Sequence, residues 1–481
     1  MPKEFIVAIE LGSSKMTGIA GQKNLDGSIS VLSIVEEDST SCIRKGVVYN
    51  IEKTGQCLTS IMQKLKNNLK QDITHVYVGV GGQSIRSVKN VIVKDLPSAT
   101  QVTQEMVNEL MDANRNMSYP DLEILDAATQ EYKLDNQFQL DPVGIQCTHL
   151  EGNFLNILWR KNFYRNLNTC FDNAGIAIAE MYLAPLALAD STLTDAEKRS
   201  GCVLIDLGAD TTTVSVYYKN ILRHLAVIPL GGSNITKDIA SLQMEDSDAE
   251  KMKIKYASAF TENNEIDNTL SYSIDADRQI ESRKFIEIVE GRVEEIIENA
   301  WFQVPNEYAD KLLGGIILTG GGSNMPNIEK AFRSHTHIEK IRIAKFVTQA
   351  INSKDPKITE HDGKLNTILG LLAKGDMNCA GGELHDDLFT QSEQKPTTTA
   401  DIHQKPRDLK ETTGTGVVMT AAEKQKAEEE ARKKKEEEEE IARVEAEKLE
   451  MEEAARRKEN SILNKCWRHI KKLGKDMISE E

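Results

Sequence analysis

The sequence predicts an α/β protein built of two related lobes with a cleft between them. Two observations predict it. As far as about residue 375, apolar strand-like runs alternate with amphipathic segments, the pattern of layered α/β or α+β domains. Within that stretch one plan occurs twice, at residues 6–21 (IVAIELGSSKMTGIAG) and at residues 202–217 (CVLIDLGADTTTVSVY). Each copy reads as a buried strand, a carboxylate followed by Leu-Gly, a few small polar residues and a second β-rich strand. Glu10 and Asp206 stand about two hundred residues apart, a domain's length and far beyond a solenoid period. A duplicated fold is therefore expected, with the two hairpins facing one another.

Taken in chain order, the first hairpin supplies a tight turn of Gly12, Ser13, Ser14 and Lys15. Small residues in such a turn let several backbone N–H groups face one way, and a nest of that kind binds phosphate oxygens. Glu10, at the end of the preceding strand, is placed to hold a magnesium ion through its water shell. Residues 83–165 read as a small α+β unit, with a helix beginning near Thr103 and strands at 123–132 and 154–159. The second hairpin repeats the chemistry with Asp206, Gly208 and Thr211. Residues 285–297 form a helix whose apolar stripe is Phe285, Val289, Val293 and Ile296, with Arg292 off that stripe. Residues 314–332 read as a buried strand, then Gly320, Gly321 and Gly322, then a helix start capped by Ser323 or Asn324. Glycines at such a junction let the backbone approach a flat group such as a nucleoside.

Composition bounds the function. With 481 residues the chain can form two or three domains. Its 59 Lys and Arg against 75 Asp and Glu leave a net charge of −16, which repels phosphate backbones and argues against nucleic acid as a partner. Mean hydropathy is −0.42. No apolar run approaches the roughly 20 residues of a spanning helix, and no secretory signal opens the chain, so a cytosolic location is expected. Seven scattered cysteines without a C-x-x-C pair suggest neither a zinc site nor a disulfide framework.

Past residue 375 the character changes. Residues 376–420 are rich in Gly, Thr and Pro and read as a disordered linker. Residues 421–460 are nearly all Ala, Glu, Lys and Arg, a solvated and partly helical spacer without a heptad seam. In residues 461–478, Ile462, Leu463, Cys466, Trp467, Ile470, Leu473 and Met477 fall on one helical stripe, and Lys465, Arg468, Lys471, Lys472 and Lys475 fill the other side. Five cations against one Asp suit reversible attachment to an anionic membrane surface.

The two carboxylate-x-Gly hairpins, the Gly-Gly-Gly loop and the segment 248–253 (DAEKMK) resemble the actin-like ATPase superfamily. Within it, residues 76–84 (VYVGVGGQS), 141–144 (DPVG) and 228–240 (IPLGGSNITKDIA), with the basic C-terminal helix, resemble the FtsA family of bacterial cell-division proteins. The resemblance implies an actin-like, duplicated ribonuclease-H-like fold. Its first domain would be residues 1–82 and 166–200, with an inserted subdomain at 83–165. The second domain would be 201–375 with a smaller lobe at about 233–304, followed by the linker at 376–460 and the membrane helix at 461–481. It implies ATP and Mg²⁺ in the cleft, with Glu10 and Asp206 near the hydrated metal. Glu250 and Lys253 would lie at the ribose and base, and Gly320 to Ser323 would form the adenosine loop. It also implies self-assembly into filaments, contacts with later division proteins through the insert, and docking of the FtsZ C-terminal tail near Arg292. Ala209 and Asp210 depart from the family's second loop, where glycines are usual, and no base for attack on the γ-phosphate is assignable, so binding with slow or no turnover is expected. The reading is an adaptor that anchors FtsZ filaments to the cytoplasmic membrane at the septum. The alternatives are a sugar- or acetate-type kinase of the same superfold and a pilus-type actin-like scaffold.

Overall fold

The structure is a computed structural model, and it describes residues 4–383 except residue 276. The two sheets follow one plan. In the first, the strands Ile6–Leu11, Lys15–Lys23 and Ile29–Asp38 form an antiparallel meander, and His75–Val80 and then Ala177–Leu183 add in parallel beside Ile6–Leu11. In the second, Cys202–Leu207, Thr212–Tyr218 and Ile221–Ile228 form the meander, and Gly315–Thr319 and Ile341–Ile343 add in parallel beside Cys202–Leu207. Strand order 3-2-1-4-5 occurs in both lobes, so the duplication seen in two short motifs extends through the whole sheet. This is the actin-like, duplicated ribonuclease-H-like fold.

Helices cover the sheets by burying one stripe each. In Ile51–Leu69, Asn50 caps the first turn by accepting from the Lys53 N–H, and Leu58, Ile61, Met62, Leu65 and Leu69 face the first sheet. In Ser282–Phe302 the buried set includes Phe285, Val289, Val293 and Ile296, the stripe read from the sequence. The helix Gln104–Arg115 begins at Thr103, whose side chain accepts from the Met106 N–H. It packs on the strands Arg86–Gln101, Leu122–Leu134 and Gln146–Arg160 through a small core of Leu110, Leu150 and Phe154. That inserted sheet joins the second lobe beside the strand Ile221–Ile228, through the ladder pair Ala226 with Arg86, the Leu225 N–H donating to Ser87 Oγ, and the Arg223 guanidinium donating to Gln130 and Glu131.

Three expectations need correction or limits. The chain does not leave the globule at residue 376. Tyr77 Oη donates to Asp376, the Cys379 N–H donates to the Phe5 carbonyl at 2.8 Å, and Ala380–Glu383 pairs antiparallel with Gln71–Ile73. The helix after the glycine loop starts at Ile328, behind a 3₁₀ turn of Gly321–Asn324. Ser323 and Asn324 therefore do not cap it. Ser323 Oγ donates to the Gly320 carbonyl, and Asn324 Nδ2 donates to the Asp362 carbonyl. The linker beyond residue 383, the charged spacer and the amphipathic segment, with Ile462, Leu463, Lys465, Trp467, Arg468, Ile470, Lys471, Lys472, Leu473 and Lys475, lie outside the described residues. Among the described residues no helix is long and apolar enough to cross a membrane.

Phe285 is fully buried in the second lobe's core and stacks edge-on against Tyr272 at 5.2 Å. Phe285→Ala should cost about 3–5 kcal/mol of stability, read as a lower urea midpoint with the slope unchanged.

Candidate functional site

The two hairpin turns are built alike. Glu10 pairs with Thr17 and Leu11 with Met16; Asp206 pairs with Thr213 and Leu207 with Thr212. The next residue must be glycine in both. A Cβ on Gly12 would stand 2.5 Å from the Lys15 carbonyl oxygen, and one on Gly208 would stand 2.8 Å from that of Thr211. The Gly208 N–H closes the second turn on the Thr211 carbonyl at 2.9 Å.

The carboxylates ahead of these turns are both pushed toward protonation, mainly by burial. Burial, and after it the negative charge of Asp206, pushes the Glu10 carboxyl up to about 8. Burial alone pushes Asp206 up to about 6. Two carboxyl groups from separate lobes, held in one cleft and resisting joint ionisation, form a donor set that a divalent cation would relieve. Mg²⁺ with its waters fits such a pair, because it favours carboxylates and keeps much of its hydration shell. The glycine loop lies directly against Asp206. Gly320 has φ +82, and a Cβ there would sit 2.3 Å from Asp206 Oδ1, so only glycine lets the loop lie against the carboxylate.

The second lobe aims a helix at its own turn. In Gly232–Ala240 the Gly232 N–H donates to the Gly208 carbonyl at 3.0 Å and the Ser233 N–H to the Ala209 carbonyl at 2.7 Å. The positive end of the helix is thus directed at the turn, where it favours anions. Lys253, on the helix Asp246–Tyr256, donates to the Gly232 carbonyl at 3.0 Å and to Thr236 Oγ1 at 2.9 Å, and pairs with Glu250 at 2.6 Å. Thr236 also hydrogen-bonds Glu250. Glu250 and Lys253, which in the sequence are charges on a helix face, therefore stand beside the second turn.

The first turn is braced by the loop that follows the third strand. Ser39 Oγ donates to the Gly12 carbonyl at 2.6 Å, and the Gly46 N–H donates to Ser13 Oγ at 2.8 Å. From the same loop the Lys45 N–H reaches Asp210 Oδ2, on the other lobe, at 3.2 Å. Lys15 opens the second strand, and its ammonium pairs with Glu36 at 3.1 Å, so what it offers the turn is backbone.

The structure thus brings together Glu10, Gly12, Ser13 and Ser14 with Asp206, Gly208, Thr211, Glu250, Lys253 and Gly320. Gly321 and Gly322 continue the loop as a 3₁₀ turn, while Ser323 is buried with its hydroxyl committed to Gly320. Arg292 belongs to a separate cavity of about 320 Å³ lined by Asp238, Ser241, Ile288, Gly291 and Glu295. Its guanidinium is bound to Asp238 at 2.5 and 3.1 Å and to Glu295. Sequence reasoning missed Lys45, Gly46, Gly232 and Thr236 as parts of the cleft. Nothing local marks the first two, and the last two carried a signal only within the family-like run at 228–240.

Unfolded, Glu10 and Asp206 would titrate at about 4, in the ordinary carboxylate range. Folded, they hold protons up to about 8 and about 6. The folded state binds more protons in that window, so the stability they contribute is full below about pH 4 and is lost as pH rises through 6 and 8. Ligand-free protein should lose roughly 2–4 kcal/mol between about pH 5 and 8.5 in urea titrations, and Glu10→Gln should remove most of that fall.

Comparison with known proteins places the fold and the family. The family described as "Cell division protein FtsA" matches residues 203–360, and the one described as "SHS2 domain inserted in FTSA" matches residues 82–158. A chain of a PilM-PilN type IV pilus biogenesis complex shares the fold, with a TM-score of 0.54 at 13% identity, covering 78% of this chain and 99% of that one. The cell division protein FtsA of Pseudomonas aeruginosa is 30% identical over 332 residues, 67% of this chain and 78% of the relative. That of Porphyromonas gingivalis is 30% identical over 398 residues, 80% of this chain and 82% of the relative. With that much of both chains aligned at that identity, the chain belongs to the FtsA family of cell division proteins.

Proposed function

We propose that this chain is a membrane-tethered adaptor of cell division. It binds ATP with Mg²⁺ between its lobes, assembles into actin-like filaments and holds FtsZ filaments to the cytoplasmic face of the membrane at the septum. The observation that carries the nucleotide part is the pair of like-built glycine turns, each directly preceded by a strand end that carries a carboxylate raised by burial, Glu10 in one lobe and Asp206 in the other. Backbone amides of residues 12–14 and 208–211 would take the phosphates from either side. Glu10 and Asp206 would hold the metal through water, and the metal, when bound, supplies the positive charge that offsets carboxylates and phosphates together. Glu250, Lys253 and the glycine loop would take the ribose and base.

The cavity at Arg292 suits an acidic peptide that also carries an apolar residue. Arg292 is half-buried and already neutralised by Asp238 and Glu295, so an incoming carboxylate would exchange one charge-assisted bond for another while Ile288 receives the apolar side chain. Such an exchange yields modest affinity, which filaments on both sides would multiply by presenting many tails at once. The same multiplication would apply at the lipid. A single helix with the composition of residues 461–478 gains roughly 1 kcal/mol per cation near an anionic leaflet, enough for reversible attachment.

Removal of residues 461–481 should abolish co-sedimentation with anionic vesicles while leaving nucleotide and FtsZ-tail binding in solution unchanged. Retained sedimentation would place the membrane contact elsewhere. Arg292→Glu would set a third carboxylate against Asp238 and Glu295, and should weaken binding of an FtsZ-tail peptide at least tenfold by fluorescence anisotropy. Unchanged affinity would exclude this cavity as the docking site.

A further inference from the structure

We propose that Asp210 is a latch between the lobes that sets the preference of the cleft between nucleoside di- and triphosphates. The proposal rests on the nucleotide reading above and goes beyond it in naming a residue that discriminates between ligands. Asp210 lies in the second turn, and its Oδ2 accepts from the Lys45 N–H of the opposite lobe at 3.2 Å. That donor is held firmly. Lys45 adopts a left-handed conformation with φ +51, its carbonyl accepts from the Gln83 N–H at 2.8 Å, and the next amide, of Gly46, donates to Ser13 in the first turn at 2.8 Å.

A fixed amide beside one phosphate-type turn and directed at the other is an anion donor. Here its acceptor is a carboxylate of this chain, so Asp210 takes the place of an anionic oxygen of a ligand. A diphosphate bound between the turns leaves this contact intact. The additional phosphate of a triphosphate approaches the same amide and meets the carboxylate's charge, so Asp210 must be displaced or neutralised. Both residues keep access to solvent, which screens the repulsion and limits the effect to about one order of magnitude.

The test is isothermal titration of the full chain with Mg-ADP and with a magnesium complex of a non-hydrolysable ATP analogue, for the native protein, Asp210→Asn and Asp210→Gly. The amide variant keeps an acceptor for Lys45 and loses the charge. It should bind the triphosphate about tenfold more tightly, and the ratio of triphosphate to diphosphate affinity should rise by at least about threefold whatever the change for ADP. The glycine variant should do the same and, without ligand, should also exchange its Lys45 amide hydrogen faster by mass spectrometry. Equal shifts for both nucleotides, or none, overturn the latch while leaving the nucleotide site standing. No binding by any of the three proteins overturns the nucleotide reading and this proposal together.

Discussion

Two acidic groups from separate lobes, Glu10 and Asp206, are pushed toward protonation by burial, Glu10 further by the charge of Asp206, and the turns beside them are built to close tolerances. Glu10 and Asp206 sit where each sheet ends, ahead of a glycine turn that tolerates no side chain. Burying a carboxylate without a partner is unfavourable, and a fold keeps such an arrangement when something else relieves it. The positive end of the helix Gly232–Ala240 is already directed at the second turn. A hydrated divalent cation would relieve what remains.

The duplication explains how a symmetric grip arises from an asymmetric chain. Both sheets use the order 3-2-1-4-5, which puts the central hairpin of each lobe in the same relation to its parallel strands. The asymmetry lies in what surrounds the hairpins. The first is braced by a loop through Ser39 and Gly46, and the second by a helix through Gly232 and Ser233. The insert joins the edge of the second sheet beside Ile221–Ile228, through the pair Ala226 with Arg86 and the Arg223 bonds to Gln130 and Glu131.

Much of this was legible because it is local. The hairpins, the Thr103 cap and the stripe of Ser282–Phe302 follow from periodicity and capping over a turn or two of chain. What stayed hidden is nonlocal or set by context. Lys45 and Asp210 meet across 165 residues, and neither carries a mark of its partner. In the sequence Asp210 is only a departure from a glycine pattern; the structure gives its carboxylate an acceptor's role. The strand Ala380–Glu383 contains two glycines and has little β propensity, yet pairing with Gln71–Ile73 fixes it. The glycine loop spends four residues on a 3₁₀ turn before its helix, so the cap residues read from the sequence fall short of the true start.

The strand Ala380–Glu383 also decides where force enters the protein. It is laid against the first lobe, beside Phe5 at the root of the sheet. Tension applied from the C-terminal side of the chain would be delivered there, within one lobe, and would not pull directly on the two halves of the cleft.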